Sequence, residues 1–324
     1  MMKRAVFMQG PCDRRERESD IQYREIREVL RAPITCSLLL IYNPGSGRRR
    51  DRRQAVSEMV ELLRGRGLTV DARATGGPGD ATRLSRDALA AGADLVVVHG
   101  GDGTVNEAMQ PLVGGSTPLA VWPGGTANVL MRELGLPRDP ERVADMIATG
   151  RTQHVAVGRA GERYFLLMAG VGLDAALVRV VNPALKRLAG QGAFWFAAFQ
   201  QFVRWEPRRF LVEVEGQRHA ATFALLANAA CYAGAMRIAP QASLASDHLD
   251  LCLIDWTDRR RFVRHARAGF TGTLAGLPGV AYLQVRRATA LGNDAVSVQV
   301  DGELLGQLPM TFACVPAALS LVVP

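Results

Sequence analysis

Between residues 94 and 128 the chain twice runs from a short apolar stretch through a glycine-rich turn into a helix-like stretch. The first turn is Gly100-Gly101-Asp102-Gly103-Thr104, after the Leu-Val-Val-Val run of Asp94 to His99. The second is Pro123-Gly124-Gly125-Thr126-Ala127-Asn128, after Leu119 to Trp122. Apolar runs this short and continuous suit strands buried on both faces, as in a parallel sheet covered by helices. Glycine at a strand-to-helix turn lets the backbone come close to an anion, and the N–H groups and positive dipole end of the next helix attract negative charge. The pair points to nucleotide phosphates.

The alternation extends upstream. Ser37 to Tyr42 reads as a strand running into the turn-forming Asn43-Pro44-Gly45-Ser46-Gly47. A helix around Arg53 to Arg66 carries Val56, Met59, Val60, Leu62 and Leu63 on roughly one face. A strand near Leu68 to Ala74 and a helix near Asp80 to Ala91 follow. Residues 34–150 therefore read as an α/β unit, a parallel sheet with helices on both faces. After Gly150 the runs become short and strand-like: Gln153 to Gly158, Tyr164 to Ala169, Arg209 to Glu215, Ala220 to Ala227, Leu249 to Asp255, Tyr282 to Ala290, Ala295 to Val300 and Thr311 to Val323. They predict an all-β, antiparallel sandwich-like or barrel unit over 151–324, with helical insertions near Ala175 to Arg204 and Arg259 to Leu274. The last strand is able to return to the first unit. Residues 1–33, dense in both charges and ending at Pro33, read as an N-terminal extension, a mobile tail or an extra helix.

Composition narrows the partners. The chain has 324 residues, enough for two cores, and is 48% hydrophobic and 22% charged, as in a soluble globular enzyme. Its net charge of +8 is carried by arginine. That surplus favours phosphorylated ligands, anionic membranes or nucleic acid, or reflects an arginine-rich proteome. The basic residues are not interleaved with exposed aromatics in a nucleic-acid module, so nucleic acid is not expected. Five scattered cysteines, with no C-x-x-C pair, argue against a disulfide framework or zinc site and fit a cytoplasmic location. The apolar start is too short for a secretory signal, and no transmembrane segment is expected, so any membrane contact is peripheral.

Several polar residues fall at ends of apolar runs. Asp102 would repel phosphate unless a divalent cation lies between them, which makes it a candidate Mg2+ contact or else a helix cap. Thr104 is placed to cap the helix, and Asn106 and Glu107 fall in its first turn, facing the same ligand zone; Glu107 serves equally as a dipole-compensating residue. In the second loop Thr126 reads as an N-cap whose hydroxyl reaches phosphate, with Asn128 beyond it. Asn43, Gly45, Ser46 and Gly47 would form a third loop on the same side of the sheet. The basic run Arg48, Arg49, Arg50, Arg52 and Arg53 either holds anions or is a solvated helix face. Asp301-Gly302-Glu303 is a turn with two carboxylates, one able to take a hydroxyl proton. Asp247 and Asp250 form an acidic pair for magnesium or a polar turn. The apolar stretch Ala193 to Val203 reads as a buried helix, or one lining a hydrocarbon pocket or dipping into a bilayer.

In order, Asn43 to Gly47, Gly100 to Thr104 with Asn106-Glu107, Pro123 to Asn128, Gly172-Leu173-Asp174-Ala175, Asn228, Ile238-Ala239-Pro240, Asp247 to Asp250 and Asp301 to Glu303 resemble the diacylglycerol-kinase-type lipid kinases, related to sphingosine and ceramide kinases. The resemblance covers about residues 37–324. It implies an N-terminal domain like those of NAD kinases and phosphofructokinases, a β-sandwich-like second domain, and ATP in the cleft between them. It implies nucleotide binding by Asn43, Gly45, Ser46, Gly47, Gly100, Gly101, Asp102, Gly103, Thr104, Asn106, Glu107, Gly124, Gly125, Thr126 and Asn128. It assigns magnesium to Asp102, Asp247 and Asp250, and catalysis to Glu303, Asp301 and Asp102, with Glu303 favoured as base for the hydroxyl of a lipid such as diacylglycerol. The lipid would be met at a membrane surface, and a homodimer is compatible. His248, Leu173 and Ala233-Gly234-Ala235 depart from the usual pattern. A NAD kinase-like phosphotransferase shares the Gly-Gly-Asp-Gly-Thr loop, but Asn43 to Gly47 and the Asp301 turn argue against it. A non-catalytic nucleotide- or lipid-binding regulator is countered by Asp102, Asp247 and Glu303.

Overall fold

The computed structural model describes residues 37–47, 52–125, 128–173, 175, 207–232, 238–256, 258–293 and 296–324. The extension over 1–33, Arg48 to Arg50, Thr126, Asp174, the stretch Ala193 to Val203 and Ala233 to Ala235 lie outside them.

The first unit alternates β1 (Ser37–Tyr42), α1 (Arg52–Gly65), β2 (Thr69–Ala74), α2 (Asp80–Ala90), β3 (Leu95–Gly100), α3 (Asp102–Met109), β4 (Leu119–Pro123), α4 (Val129–Leu134) and α5 (Pro140–Thr149). All six residues of β3 are buried, as its unbroken apolar run requires. Helix α1 buries Ala55, Val56, Met59, Val60 and Leu63, the one-sided spacing of a helix on a sheet. The strands pair in parallel in the order β2-β1-β3-β4. From β1 the chain moves to one side and from β3 to the other, so the switch point lies between them. Ligands of open α/β sheets bind outside the carboxyl ends of strands at such a point. The loops at Asn43 and Gly100 leave from those ends.

The second unit comprises β5 (Thr152–Ala160), β6 (Arg163–Phe165), β7 (Met168–Gly172), β8 (Phe210–Val214), β9 (Gln217–Ala221), β10 (Phe223–Ala227), β11 (Leu249–Ile254), α6 (Arg259–Thr271), β12 (Val280–Val285), β13 (Arg287–Leu291), β14 (Ser297–Val300), β15 (Glu303–Gln307) and β16 (Met310–Val322). One sheet runs β12-β11-β10-β7-β14-β15 with antiparallel pairing throughout. It faces β8, β13 and β16 across a core of Val171, Leu226, Leu251, Val298, Phe210, Val212 and Phe312. Strand β16 also lies parallel to β4, with Leu321 beside Leu119, so the C-terminal strand extends the first unit's sheet.

Three predicted strands are each two strands meeting at a corner. The chain changes sheets between β6 and β7, between β9 and β10 at Thr222, and between β12 and β13 at Arg286. At the second corner Thr222 donates from N and Oγ1 to Ile254 O, and Oγ1 accepts from Trp256 N. At the first, the N–H groups of Leu166 and Leu167 go to the carboxylate of Asp301.

Candidate active site

Three loops stack at the carboxyl ends of β1, β3 and β4. Asn43 N donates to His99 O at 3.0 Å, and its side chain closes a local turn by accepting from Gly45 N at 2.8 Å. Its amide donates to Thr104 Oγ1 at 3.2 Å. Gly124 N donates to Gly100 O at 2.9 Å, and Ser46 Oγ lies 3.4 Å from Gly124 O. The glycines let these backbones touch. A β-carbon on Gly125 would stand 2.5 Å from Gly101 Cα; one on Gly47, whose φ is +71°, would stand 2.5 Å from Gly124 O. Asn128 fastens the second loop by accepting from Gly125 N and donating to Gly125 O, both at 2.9 Å.

Beneath the loops lies a residue the sequence reading left on the surface. Arg52 is buried, its Nη1 2.9 Å from His99 Nε2 and its Nη2 donating to Gly124 O at 2.7 Å. A guanidinium only donates, so His99 Nε2 accepts and the ring's proton sits on Nδ1, which donates to Trp122 O at 3.1 Å. The His99 ring stacks on Trp122 with centroids 3.7 Å apart. Arg52 thus ties β3, β4 and the second glycine loop together. Its place one and two helical turns before Val56 and Met59, on the buried face of α1, was the available signal.

Asp102 opens α3, and its carboxylate accepts from Val129 N at 3.2 Å and Leu130 N at 3.3 Å, capping α4. The helix-cap alternative thus holds across space rather than for its own helix. Thr104 does not cap α3: it lies inside the helix, the N-cap position is Gly101, and the Thr104 hydroxyl serves Asn43.

Two residues expected to face the ligand turn elsewhere. Glu107 Oε2 accepts from Ala81 N at 3.3 Å and its carbonyl from Thr82 Oγ1 at 2.8 Å, so it serves the start of α2. Asn106 is buried, and its amide donates to Tyr164 O at 3.1 Å and to Asp301 Oδ2 at 2.7 Å. The faces of α3 that carry Asn106 and Glu107 pack on neighbouring elements.

Asp301 and Gly302 both have positive φ, 48° and 83°, as a two-residue type I′ hairpin requires. The Asp301 carboxylate turns inward and accepts four hydrogen bonds, from Leu166 N, Leu167 N, Met168 N and Asn106 Nδ2, at 2.7–3.0 Å. Burial pushes its pKa up, and these donors pull it back. With four donors on its oxygens, Asp301 holds the hairpin against the Leu166 corner and α3. Beyond the turn, Glu303 reaches back over the glycine loop. Its Oε1 lies 2.6 Å from where a β-carbon on Gly103 would be, and Oε2 is 3.7 Å from Arg163. The side chain is 47% exposed, and it sits at the N-terminal end of α3. Another tie between the units is Glu133 on α4, which accepts from Ala230 N at 3.3 Å and Cys231 N at 3.0 Å.

The three carboxylates expected around magnesium do not gather. Among the described residues no group of three His, Cys, Asp or Glu side chains could hold a metal ion. Asp247 is engaged by His248 and Arg286, which hold its pKa below the ordinary value. Asp250 is buried in β11, and burial pushes its carboxyl up, toward the neutral form. Asp102 stands at the end of the first glycine loop, its carboxylate accepting from Val129 N and Leu130 N, and Mg2+ usually takes one or two carboxylates with substrate phosphates and water.

The profile described as the diacylglycerol kinase catalytic domain matches residues 37–160, and the one described as the YegS C-terminal NAD kinase beta sandwich-like domain matches 168–323. The first holds all three loops; the second holds Asp301 and Glu303. A diacylglycerol kinase of Mycobacterium tuberculosis (strain ATCC 25618 / H37Rv) is 30% identical over 283 residues, covering 84% of this chain and 90% of that protein. The chain belongs to the diacylglycerol kinase family. Other family relatives include a diacylglycerol kinase of Bacillus subtilis (strain 168), 28% identical over 88% of this chain and 95% of that one. A probable lipid kinase YegS-like protein of Chromohalobacter salexigens is 31% identical over 83% and 88%. A diacylglycerol kinase structure from Bacillus anthracis str. Sterne has the same fold, with a TM-score of 0.71 over 89% of this chain and 97% of that one at 22% identity. The α/β unit with its sandwich-like partner is thus the family architecture, and the protein is a kinase of this family. Among the described residues no helix is long and apolar enough to cross a membrane.

Proposed function

We propose that the protein transfers the γ-phosphoryl group of ATP to the hydroxyl of a lipid alcohol of the diacylglycerol type. The observation that carries this reading is the reach of Glu303, on the sandwich-like unit, over Gly103 in the phosphate-type loop of the first unit. Phosphoryl transfer is mainly positioning and electrostatics, so the loops' N–H groups and the N-terminus of α3 would hold the donor phosphates. Glu303, half-exposed beside them, would accept the proton of the attacking hydroxyl. Arg163 and the Asp301 hairpin would orient that carboxylate. Magnesium, arriving with the nucleotide and held by Asp102, would neutralise phosphate charge. The lipid would be met by peripheral contact with a membrane.

Labelled ATP offered to diacylglycerol, phosphatidylglycerol, a sphingoid base and NAD in parallel tests the reading. Label in a lipid alcohol is the expected result. Label in NAD alone, or no lipid-dependent transfer, would contradict it.

A further inference from the structure

Helix α6, Arg-Arg-Arg-Phe-Val-Arg-His-Ala-Arg-Ala-Gly-Phe-Thr, contains no acidic residue. Its inner side is fixed to the sandwich-like unit. His265 and Ala268 are buried, Trp256 Nε1 donates to His265 Nδ1 at 2.8 Å, and Phe262 meets the edge of Trp256 with centroids 5.0 Å apart. The N-terminus is capped by Asp258, which accepts from Arg261 N at 2.9 Å.

Its outer side is basic and carries exposed apolar side chains. Arg260, Val263, Arg264, Arg267 and Phe270 recur every three or four positions and form one exposed stripe. Val263 is 55% and Phe270 46% exposed; the only other large apolar side chains exposed among the described residues are Leu211 and Leu304. Among the described residues Arg260, Arg264 and Arg267 form no ion pair, while Arg261 is 3.7 Å from Asp258. Arg66, by contrast, meets Glu141 and Asp145.

We propose that this face of α6 docks the enzyme on anionic phospholipid bilayers. The arginines complement lipid phosphates, and Val263 and Phe270 enter the boundary between headgroups and acyl chains. A nucleic acid would satisfy the charge but offer nothing to the apolar side chains between the arginines. The partner rests on the lipid-kinase reading; the surface itself does not.

The test is flotation of the full-length protein with vesicles of phosphatidylcholine alone or mixed with phosphatidylglycerol, at low and high salt. A duplex oligonucleotide serves as competitor. Binding only to the mixed vesicles, weakened by salt, is expected. Arg260→Gln/Arg264→Gln/Arg267→Gln should lower the partition coefficient by about a hundredfold, since each basic residue near an anionic surface contributes about fivefold. The corresponding lysine variant should restore most of it, and Val263→Ser/Phe270→Ser should weaken binding that survives high salt. Equal binding by wild type and glutamine variant, or displacement of the vesicles by the duplex, would overturn the proposal. Transfer to a short-chain diacylglycerol in neutral detergent micelles separates the two readings. Unchanged micellar activity in the glutamine variant with lost vesicle binding supports docking by α6. Absence of micellar activity in the wild type overturns the lipid-kinase reading alone.

Discussion

Glu303 and Gly103, one from each unit, share a single space: a β-carbon on Gly103 would lie 2.6 Å from Glu303 Oε1. The glycine is therefore required for the carboxylate as well as for the loop. Gly103→Ala leaves the fold intact, because the clashing atom is the end of a flexible side chain and alanine is the better helix former by about 1 kcal/mol. The expected result is a melting temperature equal to or slightly above wild type with transfer reduced about a hundredfold, as for a small displacement of a catalytic group. Thermal unfolding and single-turnover transfer on the same preparation check it.

Arg52 is expected to stabilise rather than catalyse. Arg52→Met keeps the stem in the core but removes the bonds to His99 and Gly124 O, at a cost of about 2–4 kcal/mol. Arg52→Lys should recover only part of this, since one ammonium does not span both acceptors in the guanidinium's fork geometry. Urea unfolding of the three proteins measures the difference.

Asp301→Asn separates positioning from proton transfer. Wherever the amide nitrogen goes, it meets N–H groups now held by a carboxylate oxygen, so a loss of about 3 kcal/mol is expected. Activity should fall mainly through Glu303, with the pH dependence of the remaining rate unchanged. A shifted pH profile would instead give Asp301 a part in the chemistry.

His265 gives the fold a pH dependence of known sign. Burial lowers its pKa from 6.5, and Nδ1 accepts from Trp256 Nε1, so the folded protein holds the neutral ring. The unfolded chain binds the proton more readily. Stability is therefore complete above about pH 6.5 and is lost as pH falls toward the depressed folded value. His265→Gln, which still accepts from Trp256, should flatten this slope. Chemical denaturation at pH 7.5 and pH 5.5 for both proteins provides the comparison.

The parallel unit was legible because β3 and β4 are buried apolar runs that lead into glycine, a pattern that survives in one dimension. The corners at Leu166, Thr222 and Arg286 were not, because a strand that changes sheets keeps its apolar pattern through the bend. Glu303 was placed beside the glycine loop through family likeness, whereas the Asp-Gly pair that turns the β14–β15 hairpin was readable from turn chemistry alone. Asn106 and Glu107 have partners that were not legible, for another reason. Their positions near the start of α3 follow from spacing, but which element each meets depends on packing by α2 and Asp301, and spacing does not encode that. The pairing of Asp247 with Arg286, distant in the sequence, was likewise not encoded in spacing.

In the proposed reaction Glu303 acts across the interface on a nucleotide held by the loops. Glu303→Gln, at saturating ATP and lipid, tests it most directly. Single-turnover transfer should fall about 10²- to 10⁴-fold while nucleotide affinity stays within about threefold of wild type. Transfer at the wild-type rate would show that Glu303 is not the base.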